Sequence, residues 1–289
     1  MSASGGFRER RYTAQDGLSL YFRDYGDATT DELPLLCLAG LTRNSKDFDA
    51  FARRLAPRRV LCPDYRGRGR SDRDPDARRY EPWTYVSDIL HLLALANIHR
   101  LVVVGTSLGG ILAMILGAAR PSSLAGVVLN DIGPDIPTDG RERIARHAEE
   151  AGPYPSLDAA AQALRANYGG AYPDLDDAGW HAMAETSFVR EADNRYRFDY
   201  DPRIARTVRG APGEDPRPLW DLFGTLARIP TLCVRGALSD VLRIETVAAM
   251  ASAKPDLQSV EVPNRGHTPE LNEPACVEAI DRFLGGLEA

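Results

Sequence analysis

The sequence predicts an α/β protein in which helices flank a mostly parallel sheet and one helical insert interrupts the order of elements. Short apolar runs that suit strands buried on both faces alternate with segments that carry apolar residues at helical spacing. This alternation stops between about residues 135 and 221 and then resumes. A parallel sheet with right-handed crossovers accounts for the alternation, because each crossover helix covers one face of the sheet.

Five strands and two helices are predicted before the insert. The first strand alternates between apolar and polar residues after the turn residues Asp16 and Gly17, whereas the later strands are continuous apolar runs. The predicted strands are Leu18 to Tyr25, Pro34 to Ala39, Arg59 to Pro63, Leu101 to Val104 and Leu124 to Leu129. The predicted helices are Thr84 to Asn97 and Ser107 to Arg120.

The segment between residues 135 and 221 contains helical pieces, such as Leu157 to Tyr168, but no run typical of a buried strand. It is rich in Pro, Gly, Asp and aromatic residues, and we interpret it as an insertion. The predicted core therefore comprises residues 1–134 and 222–289, with residues 135–221 as a cap. After the cap we expect a strand at 229–234, a helix after Asp240, a strand at 257–262 and a helix at 273–287.

Composition limits the classes of function. The chain has 289 residues, of which 44% are hydrophobic and 26% are charged, as in ordinary globular proteins. Its net charge of −6 gives no reason to expect nucleic acid or an anionic membrane as a partner. No N-terminal apolar segment suggests a signal peptide, and no apolar run approaches the roughly 18 residues of a membrane helix. We therefore predict a cytoplasmic protein; the sequence leaves its oligomeric state open.

The four cysteines, Cys37, Cys62, Cys233 and Cys276, form no CxxC pair and have no histidine at metal-ligand spacing. Most of them lie in apolar runs, so we expect buried thiols in a reducing compartment. The basic loop with Arg66, Arg68 and Arg70 is expected to be structural, tied down by nearby aspartates.

Ser107 is the candidate nucleophile. The segment Gly105-Thr-Ser107-Leu-Gly109 is a G-x-S-x-G motif between an apolar strand and an apolar helix. A nucleophile at a sharp strand-to-helix turn needs small neighbours, which Gly105 and Gly109 provide. The N-terminus of the following helix points free N–H groups at the site, where they stabilise negative charge.

His267 is the candidate base, because a serine hydroxyl is a weak nucleophile without one. Of five histidines, His267 alone lies in a loop between a strand and the last helix, among the turn residues of Pro263-Asn-Arg-Gly-His267-Thr-Pro269. A carboxylate must orient the imidazole. Asp240, after the penultimate strand, and Asp131, after the strand that precedes the cap, both satisfy the chain order Ser, Asp, His.

The segments Gly105 to Gly109, Arg235 to Asp240 and Arg265 to His267, in this order, resemble the α/β-hydrolase superfamily. The loop Asp64 to Ser71 is similar to the loop after that family's fourth strand. The resemblance extends from about Leu18 to the C-terminus and implies an eight-stranded, mostly parallel sheet with a helical cap. It also favours Asp240 as the acid, since Arg-Gly-x-x-Ser-Asp looks like the family's acid turn.

The loop after the third strand reads Leu-Ala39-Gly40-Leu41, where this family usually carries His-Gly. Loss of that histidine removes no backbone donor. The resemblance implies that the N–H groups of Leu41 and Leu108 form an oxyanion hole.

Four further residues are candidates for the substrate pocket. Arg43 and Asn44 follow the oxyanion loop, so they either line the entrance of the pocket or cap the next helix. Trp180 and His181 belong to the aromatic-rich cap, which suggests a largely apolar pocket.

These features predict a serine hydrolase that cleaves an ester-type bond through an acyl-enzyme on Ser107, as a carboxylesterase or lactonase does. A small-molecule ester or lactone is the expected partner, and no metal or organic cofactor is expected. The serine excludes dehalogenase-like and epoxide-hydrolase-like members, which carry aspartate there. Four alternatives stay open: a carbon–carbon bond hydrolase of meta-cleavage type, an enol-lactonase of aromatic catabolism, a haloperoxidase-like perhydrolase and a non-catalytic small-molecule receptor.

Overall fold

The computed structural model describes residues 6–149, 152–207 and 217–288. Eight of its strands form one sheet, in the order β1-β2-β4-β3-β5-β6-β9-β10. The strands are β1 (Phe7–Thr13), β2 (Ser19–Tyr25), β3 (Leu35–Leu38), β4 (Val60–Pro63), β5 (Leu101–Thr106), β6 (Leu124–Asn130), β7 (Phe188–Arg190), β8 (Tyr196–Phe198), β9 (Thr231–Gly236) and β10 (Gln258–Val262). β2 pairs antiparallel with β1 and with β4, and all the other pairings in this sheet are parallel, so the predicted eight-stranded, mostly parallel sheet is confirmed.

The described helices of the core lie on both faces of the sheet, and the others cluster after β6. They are α1 (Asp49–Arg54), α2 (Pro82–Leu95), α3 (Leu108–Ala119), α4 (Thr138–Glu149), α5 (Leu157–Tyr168), α6 (Asp177–Ser187), α7 (Arg217–Gly224), α8 (Ile244–Ala253) and α9 (Pro274–Glu288). Among the described residues, no helix combines the length and the apolar composition that crossing a membrane requires.

The central strands are buried on both faces because their side chains pack into two separate apolar layers. Successive side chains of a strand point to opposite faces. Val103 accordingly packs in one hydrophobic cluster, while Val102 and Val104 pack in the other. This two-sided burial explains why the sequence shows continuous apolar runs here instead of alternation.

Two strand features were not predicted from the sequence. β1 carries charged residues at most of its positions and forms the exposed edge of the sheet beside β2, so it has no apolar pattern to detect. β7 and β8 form a separate two-stranded hairpin inside the predicted cap, with three residues in each strand.

The described helices of residues 135–221 are α4, α5, α6 and the start of α7. The predicted boundary at residue 221 falls inside α7, which packs on α3 of the core. Just beyond it, the Thr225 hydroxyl donates to the Met114 carbonyl of α3 at 2.9 Å. The chain has thus returned to the core by the end of α7, and the division into core and cap stays a proposal.

The basic loop after β4 is a buried ion-pair network. Arg66 is almost fully buried, and its guanidinium donates to Asp16 at 2.8 Å, to Asp74 at 2.5 Å and to Asp88 at 2.6 and 2.8 Å. The predicted structural role of this loop is confirmed.

All four cysteines are buried, unpaired thiols. Burial raises the pKa of Cys62 and Cys276, and raises that of Cys233 to about 12. This agrees with their prediction as small apolar residues of the core.

Candidate active site

Ser107 occupies a strained turn between β5 and α3. Its φ of +52° lies in a region that side-chain-bearing residues rarely adopt. The turn is tight: a Cβ at Gly105 would overlap the backbone of Gly109, and a Cβ at Gly109 would overlap the Leu38 carbonyl. The Ser107 N–H donates to the Asn130 carbonyl at 3.0 Å, which ties the turn to β6. Gly105 and Gly109 therefore serve the mechanical role expected of the motif.

His267 lies beside Ser107, in the loop between β10 and α9. Its Nε2 is 2.9 Å from the Ser107 Oγ, and its Nδ1 is 2.7 Å from Oδ2 of Asp131. The predicted pairing of Ser107 with His267 is therefore present in the structure. With Nδ1 protonated and donating to the carboxylate, Nε2 is free to accept the serine proton.

Asp131 is the carboxylate on His267, in place of the expected Asp240. It follows β6 directly, is fully buried and adopts a φ of +55°. Its Oδ1 accepts the Gly236 N–H at 2.8 Å, and its Oδ2 accepts the Ser239 hydroxyl at 2.6 Å. With the His267 N–H these donors compensate the burial of a carboxylate.

The expectation that Asp240 orients His267 is wrong, because Asp131 makes that contact. Its carboxylate is half-exposed and accepts two hydrogen bonds from Arg143 of α4, through Nε and, at 2.8 Å, through Nη2. Burial alone would raise the pKa of Asp240, but the hydrogen bonds and charge of Arg143, with smaller contributions such as that of His267, together hold the pKa below its ordinary value. The turn that resembles the family's acid turn thus supplies Gly236 and Ser239 as donors to Asp131.

Leu41 and Leu108, the predicted oxyanion donors, lie on two different segments near Ser107: Leu41 lines the same cavity as Ser107, and Leu108 follows it in the chain. Leu108 is the first residue of α3, so its N–H lies at the helix N-terminus. The Gly40 carbonyl accepts the Arg43 N–H at 3.1 Å, and in a trans peptide this directs the Leu41 N–H the opposite way. The Leu41 carbonyl is held by Nε of Arg68 at 2.5 Å. The loop is therefore fixed without the histidine that the sequence lacks at Ala39.

The segment after α5 binds the loop of His267 at the residues directly before and after the histidine. The Tyr172 hydroxyl donates to the Thr268 carbonyl at 2.8 Å and accepts the Thr268 N–H at 2.9 Å. The Gly266 N–H donates to the Ala171 carbonyl at 2.6 Å. Arg265 bonds Asp174 at 2.5 Å. Sequence reasoning did not single out Tyr172, because one aromatic among many between residues 135 and 221 carries no local signal.

A cavity of about 470 Å³ opens onto Ser107 and His267. Its walls are largely apolar; they include Ile144, Leu164, Tyr168, Leu175 and Met183 from the segment after β6. Arg143 and His147 of α4 also line it. The cavity has the size and the mixed lining of a small-molecule site.

Of the four pocket candidates, Arg43 lines the cavity. Its guanidinium is engaged by Asp47 at 2.6 and 2.8 Å and by the hydroxyls of Thr186, at 2.9 Å, and Ser187. Asn44 does not face the pocket: it is buried, and its Oδ1 accepts the Lys46 N–H at 3.1 Å. Asn44 therefore has the other role that the sequence left open: it caps the N-terminus of the short helical turn that follows it.

The expectation that Trp180 and His181 line the pocket is wrong. Trp180 is buried behind the wall, with its ring edge-on to Tyr172 at a centroid distance of 6.1 Å. His181 lies on the outer surface of α6, 3.1 Å from Asp158. Neighbouring positions of one helix point in different directions, and the sequence did not show which face of α6 meets the cavity.

Across residues 6–149, 152–207 and 217–288, no group of three or more His, Cys, Asp or Glu side chains is arranged to hold a metal ion. The polar groups around Ser107 are instead arranged as a chain of hydrogen bonds from hydroxyl to imidazole to carboxylate. Such a chain can move one proton to and from a nucleophilic oxygen.

A family model described as alpha/beta hydrolase fold matches residues 34–274. The chain is 34% identical over 276 residues to a 3-hydroxybutyrate-oligomer hydrolase of Cupriavidus necator, which covers 92% of each chain.

Two solved structures also resemble the fold of this chain. A crystal structure of an α/β hydrolase from Novosphingobium aromaticivorans has a TM-score of 0.91 and 42% identity, and the match covers 98% of this chain and 99% of that one. The structure of an E-2-(acetamidomethylene)succinate hydrolase has a TM-score of 0.81 and 25% identity, with 98% of this chain and 100% of that one covered.

Proposed function

Because the chain belongs to the α/β-hydrolase fold family, we propose that it is a serine hydrolase that cleaves ester bonds through an acyl-enzyme on Ser107. The observation that carries the proposal is the pair of short contacts at His267, 2.9 Å to the Ser107 hydroxyl and 2.7 Å to the Asp131 carboxylate. This arrangement of nucleophile, base and orienting acid is the one that acyl transfer requires.

In the proposed reaction, Nε2 of His267 takes the Ser107 proton while Oγ attacks the ester carbonyl carbon. The carbonyl oxygen becomes an oxyanion and accepts hydrogen bonds from the N–H groups of Leu41 and Leu108. His267 then gives its proton to the departing alkoxide, which leaves as an alcohol. His267 then takes a proton from a water molecule as the water oxygen attacks the acyl carbon. The bond from this carbon to the Ser107 Oγ breaks, the acid is released, and His267 gives its proton to Oγ. Asp131 keeps the imidazole in one tautomer throughout.

We assign the catalytic groups and the substrate cavity to different parts of the chain. Residues 1–134 and 222–289 would supply the catalytic groups, and residues 135–221 would shape the substrate cavity as a cap. Two described contacts support this division: Arg143 and His147 of α4 line the cavity, and Tyr172 binds the His267 loop.

Esters of hydroxy acids are the first substrates to examine, because the similar protein of Cupriavidus necator is named for hydrolysis of 3-hydroxybutyrate oligomers. The cavity of about 470 Å³ is large enough for a small ester with several carbon atoms on each side of the bond. A lactone would react through the same steps, so a panel of linear and cyclic esters separates esterase from lactonase.

The test is covalent labelling of folded protein with a fluorophosphonate probe, followed by peptide mass analysis. We expect one adduct, on Ser107, and none in Ser107→Ala. Ser252→Ala serves as the matched control because Ser252 is an exposed serine on α8. Labelling of the control must equal that of the wild type. Absence of labelling in folded wild-type protein, or labelling that persists in Ser107→Ala, would refute the nucleophile and favour a binding protein.

A further inference from the structure

We propose that Arg143 forms a subsite for a carboxylate group of the substrate, so that the preferred substrates are esters that also carry a free carboxylate. Linear oligomers of hydroxy acids have such a group at one end. The inference rests on the proposed ester hydrolase function and specifies its substrate class.

Arg143 is held in the cavity wall by close packing of α4. It lies one helical turn before His147, so both side chains project from the same face, and both line the cavity. Gly140, three residues earlier, lies against the backbone of Asp240: a Cβ there would approach the Asp240 carbonyl oxygen to 2.6 Å. This close approach sets the distance between α4 and the turn after β9, and with it the position of the guanidinium.

Asp240 orients Arg143 and leaves part of its hydrogen-bonding capacity unused. The carboxylate takes hydrogen bonds from Nε and Nη2. A guanidinium carries five N–H donors, and Nη1 has no partner within the part of the chain that the structure describes. Because one edge is already fixed, a ligand oxygen that meets the free edge does not have to immobilise a flexible side chain.

Two guanidinium groups, those of Arg43 and Arg143, act on His147 in the wall of the cavity. Burial, followed by the charges of Arg43 and Arg143, lowers the pKa of His147 to about 4. The imidazole is therefore neutral at neutral pH. Two carboxylates of the lining lie near Arg43. Asp47 binds it directly, and Glu270, whose pKa is raised by burial and by Glu273, is also acted on by Asp47 and Arg43. The main groups that act on Arg143 are instead Asp240, Tyr168 and Tyr172.

Lys46 and Arg43 are the other cations in the described lining of this cavity. The Lys46 Nζ lies 2.9 Å from the Asp199 carboxylate. The donors of Arg43 are engaged as well. Nε and Nη2 bind Asp47, and the remaining contacts go to two hydroxyls of α6. Arg143 therefore has the donor capacity to bind a carboxylate directly. The apolar side chains around it reduce screening by water, which strengthens the attraction.

The experiment compares two molecules with the same ester bond: the linear dimer of 3-hydroxybutyrate as the free acid, and the same dimer with its terminal carboxyl converted to a carboxamide. For the wild type we expect kcat/KM to favour the acid by roughly 10- to 100-fold, as hydrogen bonds to a charged group imply. In Arg143→Gln the acid should lose much more than the amide, so that the preference falls to a few fold. Arg146→Gln is the matched control, since Arg146 is an exposed arginine on the same helix.

A double variant, Arg143→Gln with Asp240→Asn, removes the carboxylate that the single variant leaves uncompensated. The preference for the acid must stay lost in it, because the donors are still missing. The proposal is overturned if the wild type does not distinguish the two molecules, if Arg143→Gln lowers both rates equally, or if the double variant regains the preference.

Binding to Ser107→Ala, measured by calorimetry with the same two molecules, tests the subsite without turnover. Tighter binding of the acid that disappears when Arg143→Gln is added supports the subsite even if the fluorophosphonate experiment refutes the proposed reaction. Equal affinity for acid and amide refutes the subsite whatever the labelling shows.

Discussion

Oδ2 of Asp131 lies 2.7 Å from Nδ1 of His267, and this contact joins the end of β6 to the loop after β10. The parallel register explains the position of the carboxylate. Thr106 of β5 pairs with Asn130 of β6, so Ser107 and Asp131 are the next residues of two adjacent strands. Both also adopt positive φ values, which turn the chain sharply at the same edge of the sheet.

Replacing Asp131 by Asn should abolish most of the activity, and replacing Asp240 by Asn should not. The amide keeps the shape but favours the wrong tautomer of His267, which in serine proteases costs roughly 10⁴-fold in kcat. Asp240→Asn removes a partner of Arg143 and should act mainly on KM. Steady-state kinetics on both variants, with circular dichroism to verify folding, provides the measurement. If Asp240→Asn shows the larger fall in kcat, the assignment of Asp131 is wrong.

Tyr172→Phe should lower kcat by roughly tenfold with a smaller change in KM. The variant loses both hydrogen bonds to Thr268, and each is worth about 1 kcal/mol in holding the His267 loop. Tyr12→Phe is a suitable control, since it removes a buried phenol hydrogen bond to the Asp88 carbonyl of α2, away from the site. An equal fall in kcat for both variants would show that Tyr172 acts only through general stability.

Acid should destabilise the protein through His147. Its folded pKa of about 4 lies below the ordinary 6.5, so the unfolded chain takes up the proton first. The contribution to stability is complete above pH 6.5 and is lost as the pH falls towards 4, up to about 3 kcal/mol. Urea unfolding of the wild type and His147→Phe at several pH values should show this loss in the wild type alone. The exposed His99, changed to Gln, should leave the wild-type pH dependence unaltered; a variant of His147 with that same dependence contradicts the prediction.

Arg66→Gln should destabilise the fold by about 3–5 kcal/mol, because three carboxylates near it would lose their buried counter-charge. Arg78→Gln removes an ion pair whose arginine is 91% exposed, and should leave the free energy of unfolding nearly unchanged because water screens such a pair. Urea midpoints compare the two directly. Similar midpoints would mean that the Arg66 network adds little to stability.

The elements that sequence could predict are those whose pattern is local. The continuous apolar runs of β3 to β6 and the glycines around Ser107 each impose their conformation within a few residues, and the structure contains them where they were expected. β1 has no such pattern, because an exposed edge strand buries little and its charged side chains face water.

The choice between Asp131 and Asp240 depended on tertiary structure. Both follow apolar strands, and each is close in sequence to turn residues. The deciding facts are the pairing of β6 with β5 and the contact of Asp240 with Arg143, which lies 97 residues away along the chain. Tyr172 and His147 likewise acquire their positions only through tertiary contacts: Tyr172 binds Thr268, and His147 lines the cavity with Ser107.

Chemical modification of the four buried thiols can report unfolding of this chain. Thiolates are the nucleophiles that react with alkylating reagents, and burial keeps the native thiols of Cys62, Cys233 and Cys276 protonated and enclosed. A reagent such as iodoacetamide should therefore modify a molecule only while its core is open, and each cysteine adds a fixed mass. Because these residues lie in different strands and in α9, the order in which the individual cysteines are modified, read from peptide masses, would show which part of the sheet opens first.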